Sequence, residues 1–184
     1  MEPATNRGQR PQSPGRRLGQ EDDSVGVDVE AEHRMTMIGF RLPGWSRRRP
    51  LRMWLNPALG PALLELAAQA GLELVWATNW EHRANTMMGP AIGLPVLPVI
   101  EFPAGLQPLP GRRFTWKYGP VARYAAGRPL AWLDDDFDVY PTAREEFLDR
   151  RRAASVPTEL VGVNPRIGIT DDHLASVAGW AQSL

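Results

Sequence analysis

Apolar and polar positions follow two different periods along this chain, and the points where the period changes outline its elements. Leu51-Arg52-Met53-Trp54-Leu55 alternates and reads as a short strand or an extended lead-in, broken by Asn56-Pro57. From Ala58 to Ala70, Leu59, Leu63, Leu66 and Ala67 fall on one helical face, and Gly71 suits the left-handed turn that closes a helix. Leu72 to Ala77 is close to continuously apolar, as a buried parallel strand is. Thr78-Asn79-Trp80-Glu81 then fits a capping box, with Thr78 at the N-cap and Glu81 three residues into a helix that runs through Met88. Val96–Phe102 reads as a further strand. A helix is expected from Val121 to Ala126, with Pro120 where a first helical residue needs no N–H donor and Gly127 as its stop.

The segment 128–137, RPLAWLDDDF, carries an apolar strand that ends in three adjacent carboxylates. Thr142 to Ala154 is an amphipathic, charged surface helix. Thr158–Val163 is a strand. Asp171 to Gln182 is a closing helix with Leu174, Val177, Ala178 and Ala181 inward, its opening Asp171-Asp172-His173 supplying capping and dipole complementarity. Upstream the pattern fades. Residues 1–24 mix Pro, Gly, Gln and charge without a period and are expected to be disordered, leaving 25–184 as a single domain. Val25 to Val29 is a weak strand, and the run Arg47-Arg48-Arg49-Pro50 is expected as a solvated loop rather than an anion-binding patch.

Strands alternating with helices over short links predict an α/β fold with a mostly parallel sheet. Right-handed crossovers then bring Thr78, Lys117 and Asp134 to Asp136 to one edge of it, beyond the carboxyl ends of the strands, where such sheets bind ligands. Three carboxylates crowded there repel one another unless a cation or proton relieves them, and an oxygen-only set suits a hard ion such as Mg²⁺. Thr78, where a strand gives way to a helix, can turn its hydroxyl and the amides after it to an anion as well as cap the helix. Lys117, ahead of a helix start, could neutralise a phosphoryl group, or be one more surface lysine. His82 has no second ligand at metal spacing and reads as a surface or packing residue. Trp76, Trp80 and Trp132 read as core.

Composition narrows the choice. The 184 residues have no cysteine, which excludes disulfides, thiolate metal sites and a Cys nucleophile. Net charge is zero, against wholesale nucleic-acid binding, and no DNA-binding motif is found. No apolar run reaches membrane-spanning length and no signal-peptide core opens the chain, so a cytoplasmic protein without membrane contact is expected. Of the 21 basic residues, Lys117 is the one lysine, and an ammonium acts differently from a guanidinium in a site.

A strand-end Thr, a Lys at a later helix start and paired acids at the next strand end, in that order, resemble the haloacid dehalogenase-like (HAD) phosphohydrolases. The segments WLNP, ELVWATNWEHRAN, LPVIEFP, WK, VARYAAGRPLAWLDDDF and NPRIGITDDHL are similar to a bacterial branch of that superfamily, the HAD domains attached to some RNA-repair proteins. The resemblance runs from about Leu51 to Leu184. It implies a three-layer Rossmann-like sheet and Mg²⁺-dependent phosphoryl transfer through an Asp nucleophile. It implies that Thr78 binds the phosphoryl group and that Lys117 steadies the phosphoaspartyl intermediate. Asp134 and Asp135 would hold Mg²⁺, with Asp136 as a substitute ligand. The substrate would be a phosphorylated small molecule or a nucleic-acid end.

One part is missing. The family's nucleophile and general acid lie in an Asp-x-Asp-Gly-Val motif at the end of the first strand, and this chain has none. Asp28-Val29-Glu30 is the nearest approximation, with no turn glycine after it, and Glu at the second position misplaces the proton. Asp28 is therefore the nearest nucleophile candidate, Asp22-Asp23 being poorer still, and the first strand is expected to be degenerate or missing. Three functions are open at this point. The chain is a phosphatase whose first strand was replaced by a frameshift or a misassigned start, or a pseudoenzyme that binds phosphate and metal without turnover. In the third, it is a scaffold whose Arg47–Arg52 segment meets RNA or an acidic protein.

Overall fold

The computed structural model describes residues 36–40, 51–102 and 116–184. The N-terminal segment 1–24, the strand expected at Val25–Val29 with Asp28, and Arg47 to Arg49 lie outside the described residues.

The described chain is a mixed α/β structure. Strand β1 (Thr36–Phe40) pairs antiparallel with β2 (Leu51–Leu55), Met37 opposite Trp54 and Phe40 opposite Leu51. The alternation in β2 foretold a strand, but β1 falls in a stretch without a clear period. Its strand character comes from the partner. Phe40 is buried against Trp80, ring centres 6.3 Å apart, and this contact fixes the ribbon to the rest of the molecule.

Helix α1 (Leu59–Ala70) ends as expected at Gly71, whose φ of 64° lets its N–H reach back to the Ala67 carbonyl. A π-helical turn at Ala84–Met88 leads into the short α2 (Gly89–Ile92). Helix α3 (Tyr118–Tyr124) starts three residues earlier than the sequence suggests. Pro120 therefore stands third, still within the first turn, where no helical bond needs its missing N–H. Then come β3 (Leu130–Asp134), a 3₁₀ turn at Phe137–Val139, α4 (Pro141–Ala153), β4 (Thr158–Gly162) and α5 (Asp171–Gln182). α5 has its expected bounds, and its start is closed by Thr170, whose N–H donates to His173 Nδ1 at 2.9 Å.

The expected mostly parallel sheet is present in pieces. β3 and β4 are parallel, Leu130 opposite Thr158 and Asp134 opposite Gly162. The runs Leu72–Ala77 and Val96–Phe102 do not form full strands among the described residues, and meet in one parallel bridge at Trp76 and Val99. The reason lies in the sequence. Trp76 donates to the Pro98 carbonyl and accepts from the Ile100 N–H, both at 2.9 Å. The next rung toward the amino end would require an N–H from Pro98, which has none.

The core is aromatic. Trp132 on β3 is 5% exposed, with the ring centres of Tyr118 and Phe137 at 5.1 Å and Phe147 at 5.9 Å. Edge-to-face contacts of this kind add to the burial of the rings themselves. Helices α3 and α4 supply Tyr118, Val121 and Phe147 to this cluster, while α5, backed by α1, packs on the same two strands. Val75, Ala77, Ile100 and Phe102, from the bridged segments, join it.

Arg151 on α4 is buried, yet no carboxylate pairs with it among the described residues. Its guanidinium donates to Thr158 Oγ1 at 2.7 Å and to the carbonyls of Ala125 and Arg128 at 3.0 and 2.6 Å. It thus closes the turn between α3 and β3 and joins it to the start of β4. Burial lowers its pKa from the usual guanidinium value.

Candidate functional site

Parallel strand β3 carries its last residue, Asp134, into the site, because Trp132 two residues earlier is locked in the core and the pleat repeats every second residue. Lys117 arrives from the other direction, immediately ahead of α3 and between the buried Trp116 and Tyr118. Its ammonium donates to Asp134 Oδ1 and Oδ2 at 2.8 and 2.7 Å, and lies 3.0 Å from Asp136 Oδ2. The Asp134 carboxylate also accepts from Trp132 Nε1 at 3.2 Å and from the Asp136 amide at 2.9 Å. The side chains of Lys117 and Asp134 are 13% and 5% exposed, against 45% for Asp136. The pair is therefore an inner contact, open to water on the Asp136 side.

Burial raises the Asp134 pKa above the ordinary carboxyl value, and the bonds from Lys117 and the Asp136 amide hold it back only in part. For Lys117, burial works against the charge, but the bonds and attraction to Asp134 and Asp136 outweigh it and the pKa rises. The ammonium is thus stabilised by carboxylates whose own desolvation it offsets incompletely, as expected of a buried ion pair. Tyr118 lies against the same place. Its hydroxyl is buried with no hydrogen-bond partner among the described residues, and burial pushes its pKa to about 12.

A shallow cleft opens here, lined by Lys117, Tyr118, Asp134, Asp136, Phe137 and Tyr140 among others. Asp134, Asp135 and Asp136 each bring one carboxylate oxygen within 4.8 Å of the others. The donors are all hard oxygens, which fits a small divalent cation. Asp135 is exposed and Asp136 half-buried, so both can turn an oxygen outward. Asp134 has both oxygens engaged by Lys117, Trp132 and the Asp136 amide.

Of the residues singled out in the sequence, Lys117, Asp134, Asp135 and Asp136 come together here. Thr78 does not line this cleft. Nor does it open a helix as the capping box required. Glu81 has a left-handed backbone, φ 46°, and its carboxylate accepts from the Phe102 N–H at 3.2 Å instead of reaching back to Thr78. The Thr78 hydroxyl accepts from the Trp80 N–H at 3.3 Å, a local turn. Asn85, which no pattern marked, holds this region together. Its Oδ1 accepts from Trp76 Nε1 and the Leu97 N–H, both at 2.9 Å, and its Nδ2 donates to the Leu97 carbonyl at 2.8 Å. His82 is a surface residue, as expected, 2.9 Å from Glu101.

No protein-family model, curated protein or solved structure matches this chain. Among the described residues no helix is long and apolar enough to cross a membrane.

Proposed function

We propose that this chain is a haloacid dehalogenase-like domain that binds Mg²⁺ and a phosphorylated ligand, a small molecule or a nucleic-acid end, with little or no turnover. The observation that carries the reading is the ammonium of Lys117 set between Asp134 and Asp136 at the carboxyl end of a parallel strand. A lone lysine and clustered acids at that edge have a use in phosphoryl chemistry and little use in a packed core. Asp135 and Asp136, with Asp134, would hold Mg²⁺, and the bound ion would draw negative charge off a phosphoryl oxygen. Lys117 would orient the same group by a charge-assisted hydrogen bond, at small reorganisation cost because its neighbours already fix it. The finer three-layer Rossmann-like arrangement of the resemblance belongs to the same proposal.

Turnover is limited by what the chain lacks. The family's reaction needs an Asp carboxylate to attack phosphorus, and the sequence offers no better candidate than Asp28. The pseudoenzyme reading follows from the absent motif, while the zero net charge disfavours a role based on the Arg47–Arg52 segment.

Two measurements test this. Mg²⁺ at a hundred times its Kd stabilises a folded protein by about 2.7 kcal/mol. The full chain is expected to show such a thermal shift and D134N/D135N to show none. Equal shifts in both refute the metal site. Hydrolysis of a simple phosphate monoester is expected near background. Mg²⁺-dependent turnover that disappears in D28N would overturn the inactive reading and make Asp28 the nucleophile.

A further inference from the structure

A groove of about 240 Å³ lies between α3 and α4, and Tyr118 is the one residue that lines both it and the cleft at Lys117. Small residues leave the space open. Gly119, Ala122 and Ala126 line it from the α3 side and Ala154 from the end of α4. Tyr118, Phe147 and Arg151 are buried and form its floor, while Ala126 and Ala154 are exposed at its rim.

Arg151 brings a positive charge to this floor. Its Nε donates to Thr158 Oγ1, one Nη1 hydrogen goes to the Ala125 carbonyl, and Nη2 donates to the carbonyls of Arg128 and, at 3.5 Å, Pro157. A guanidinium has five N–H groups, so the second hydrogen of Nη1 has no acceptor among the described residues. Every partner is neutral. Carbonyl and hydroxyl dipoles solvate the charge without countering it, and burial is the cause of the lowered pKa. Arginine is seldom buried without an opposite charge, because an uncompensated one is costly. Arg150 adds a second, exposed guanidinium to the groove, held loosely by Glu146 at 3.5 Å. No carboxylate lines the groove among the described residues.

We propose that this groove binds a small carboxylate with an apolar body, its headgroup against Arg151 and Arg150 and its body against Ala122, Phe147 and Val156. Charge and volume select this class of ligand. Two cations and no acid call for an anion. The walls are otherwise apolar and the buried guanidinium has one N–H to give, which suits a single negative charge on two oxygens. A phosphate dianion would bring more charge and more oxygens than these donors satisfy. A cavity of about 150 Å³ holds benzene, so a ring fits here beside its carboxylate. The proposal goes beyond the phosphoryl site and stands whether or not the Lys117 cleft binds phosphate.

Titration calorimetry of the full chain with sodium benzoate tests it. Benzoate is expected to bind at millimolar concentration. Benzyl alcohol, similar in shape and uncharged, should bind about tenfold more weakly or not at all, for want of the charged hydrogen bond. Ala126→Leu fills the groove from an exposed position and should abolish benzoate binding. Arg150→Gln should weaken it about fivefold, the most that an exposed ion pair contributes. If Ala126→Leu does not fold, Ala154→Leu fills the space from the end of α4 with the same expectation. Absence of benzoate binding overturns the proposal, as does equal binding of benzyl alcohol. So does benzoate binding that survives in a folded Leu variant, since the ligand would then sit elsewhere.

Discussion

Replacing Tyr118 with Phe removes one oxygen and leaves the ring in its edge-to-face contact with Trp132, 5.1 Å between centres. That oxygen is buried with no partner among the described residues. An unsatisfied buried hydroxyl costs about 1–3 kcal/mol, so the variant should be more stable at neutral pH, by about 1 kcal/mol once the lost contacts of the oxygen are counted. Alkaline pH gives a second reading. The folded-state pKa is about 12, above the ordinary 10.0, so the phenol is neutral in both states below pH 10. Between pH 10 and 12 the unfolded chain ionises first and binds fewer protons than the folded one, and stability falls as pH rises. A shift of two units corresponds to about 2–3 kcal/mol, lost over that window in the native protein and absent in Tyr118→Phe. Urea denaturation followed by tryptophan fluorescence at pH 7, 10 and 11.5 measures both effects. Destabilisation of the variant by more than about 1 kcal/mol at pH 7 would show that the hydroxyl is hydrogen-bonded in solution, and would refute the reasoning.

Lys117→Met strands the Asp134 carboxylate in a buried setting and should cost about 3–5 kcal/mol, with much of the loss recovered in the double variant carrying Asp134→Asn, as a denaturation cycle would report. In the native protein the raised Lys117 pKa adds stability that is fully present below pH 10.5 and declines as pH rises through the folded value. An alkaline titration of Tyr118→Phe isolates this contribution. Arg151→Met leaves Thr158 Oγ1 and the Ala125 and Arg128 carbonyls without their donor, so its urea midpoint should fall by the equivalent of about 3 kcal/mol. Gly60→Ala places a Cβ 2.0 Å from the Ile92 carbonyl oxygen, which is backbone and cannot turn aside. A loss of about 3 kcal/mol or more in thermal or urea unfolding is expected there, against the gain that Gly→Ala gives in an open helix.

Much of this molecule was decided locally and was therefore legible in the sequence. The helix from Leu59 to Ala70 with its left-handed stop at Gly71, the strand at Leu130–Asp134 and the helix from Asp171 to Gln182 each follow from a period and a terminator a few residues apart. Lys117 does meet the acids, but the crossovers expected to put it there were expected to put Thr78 there too, and Thr78 does not line the cleft. Tertiary structure decided the rest. Thr36–Phe40 is a strand because Leu51–Leu55 lies beside it, a pairing that local composition does not encode. Glu81 abandoned the capping role because the Phe102 N–H, far along the chain, needed an acceptor. Asp136 differs from Asp135 through proximity to Lys117, and nothing in a run of three identical residues distinguishes them. Pro98 was visible throughout, but its effect on the sheet depended on which segment lies beside it, here the one bridged at Trp76. Periodicity reports which face of an element is apolar. The choice of neighbour is settled by burial and by where each peptide group finds its partner, and that is a property of the whole fold.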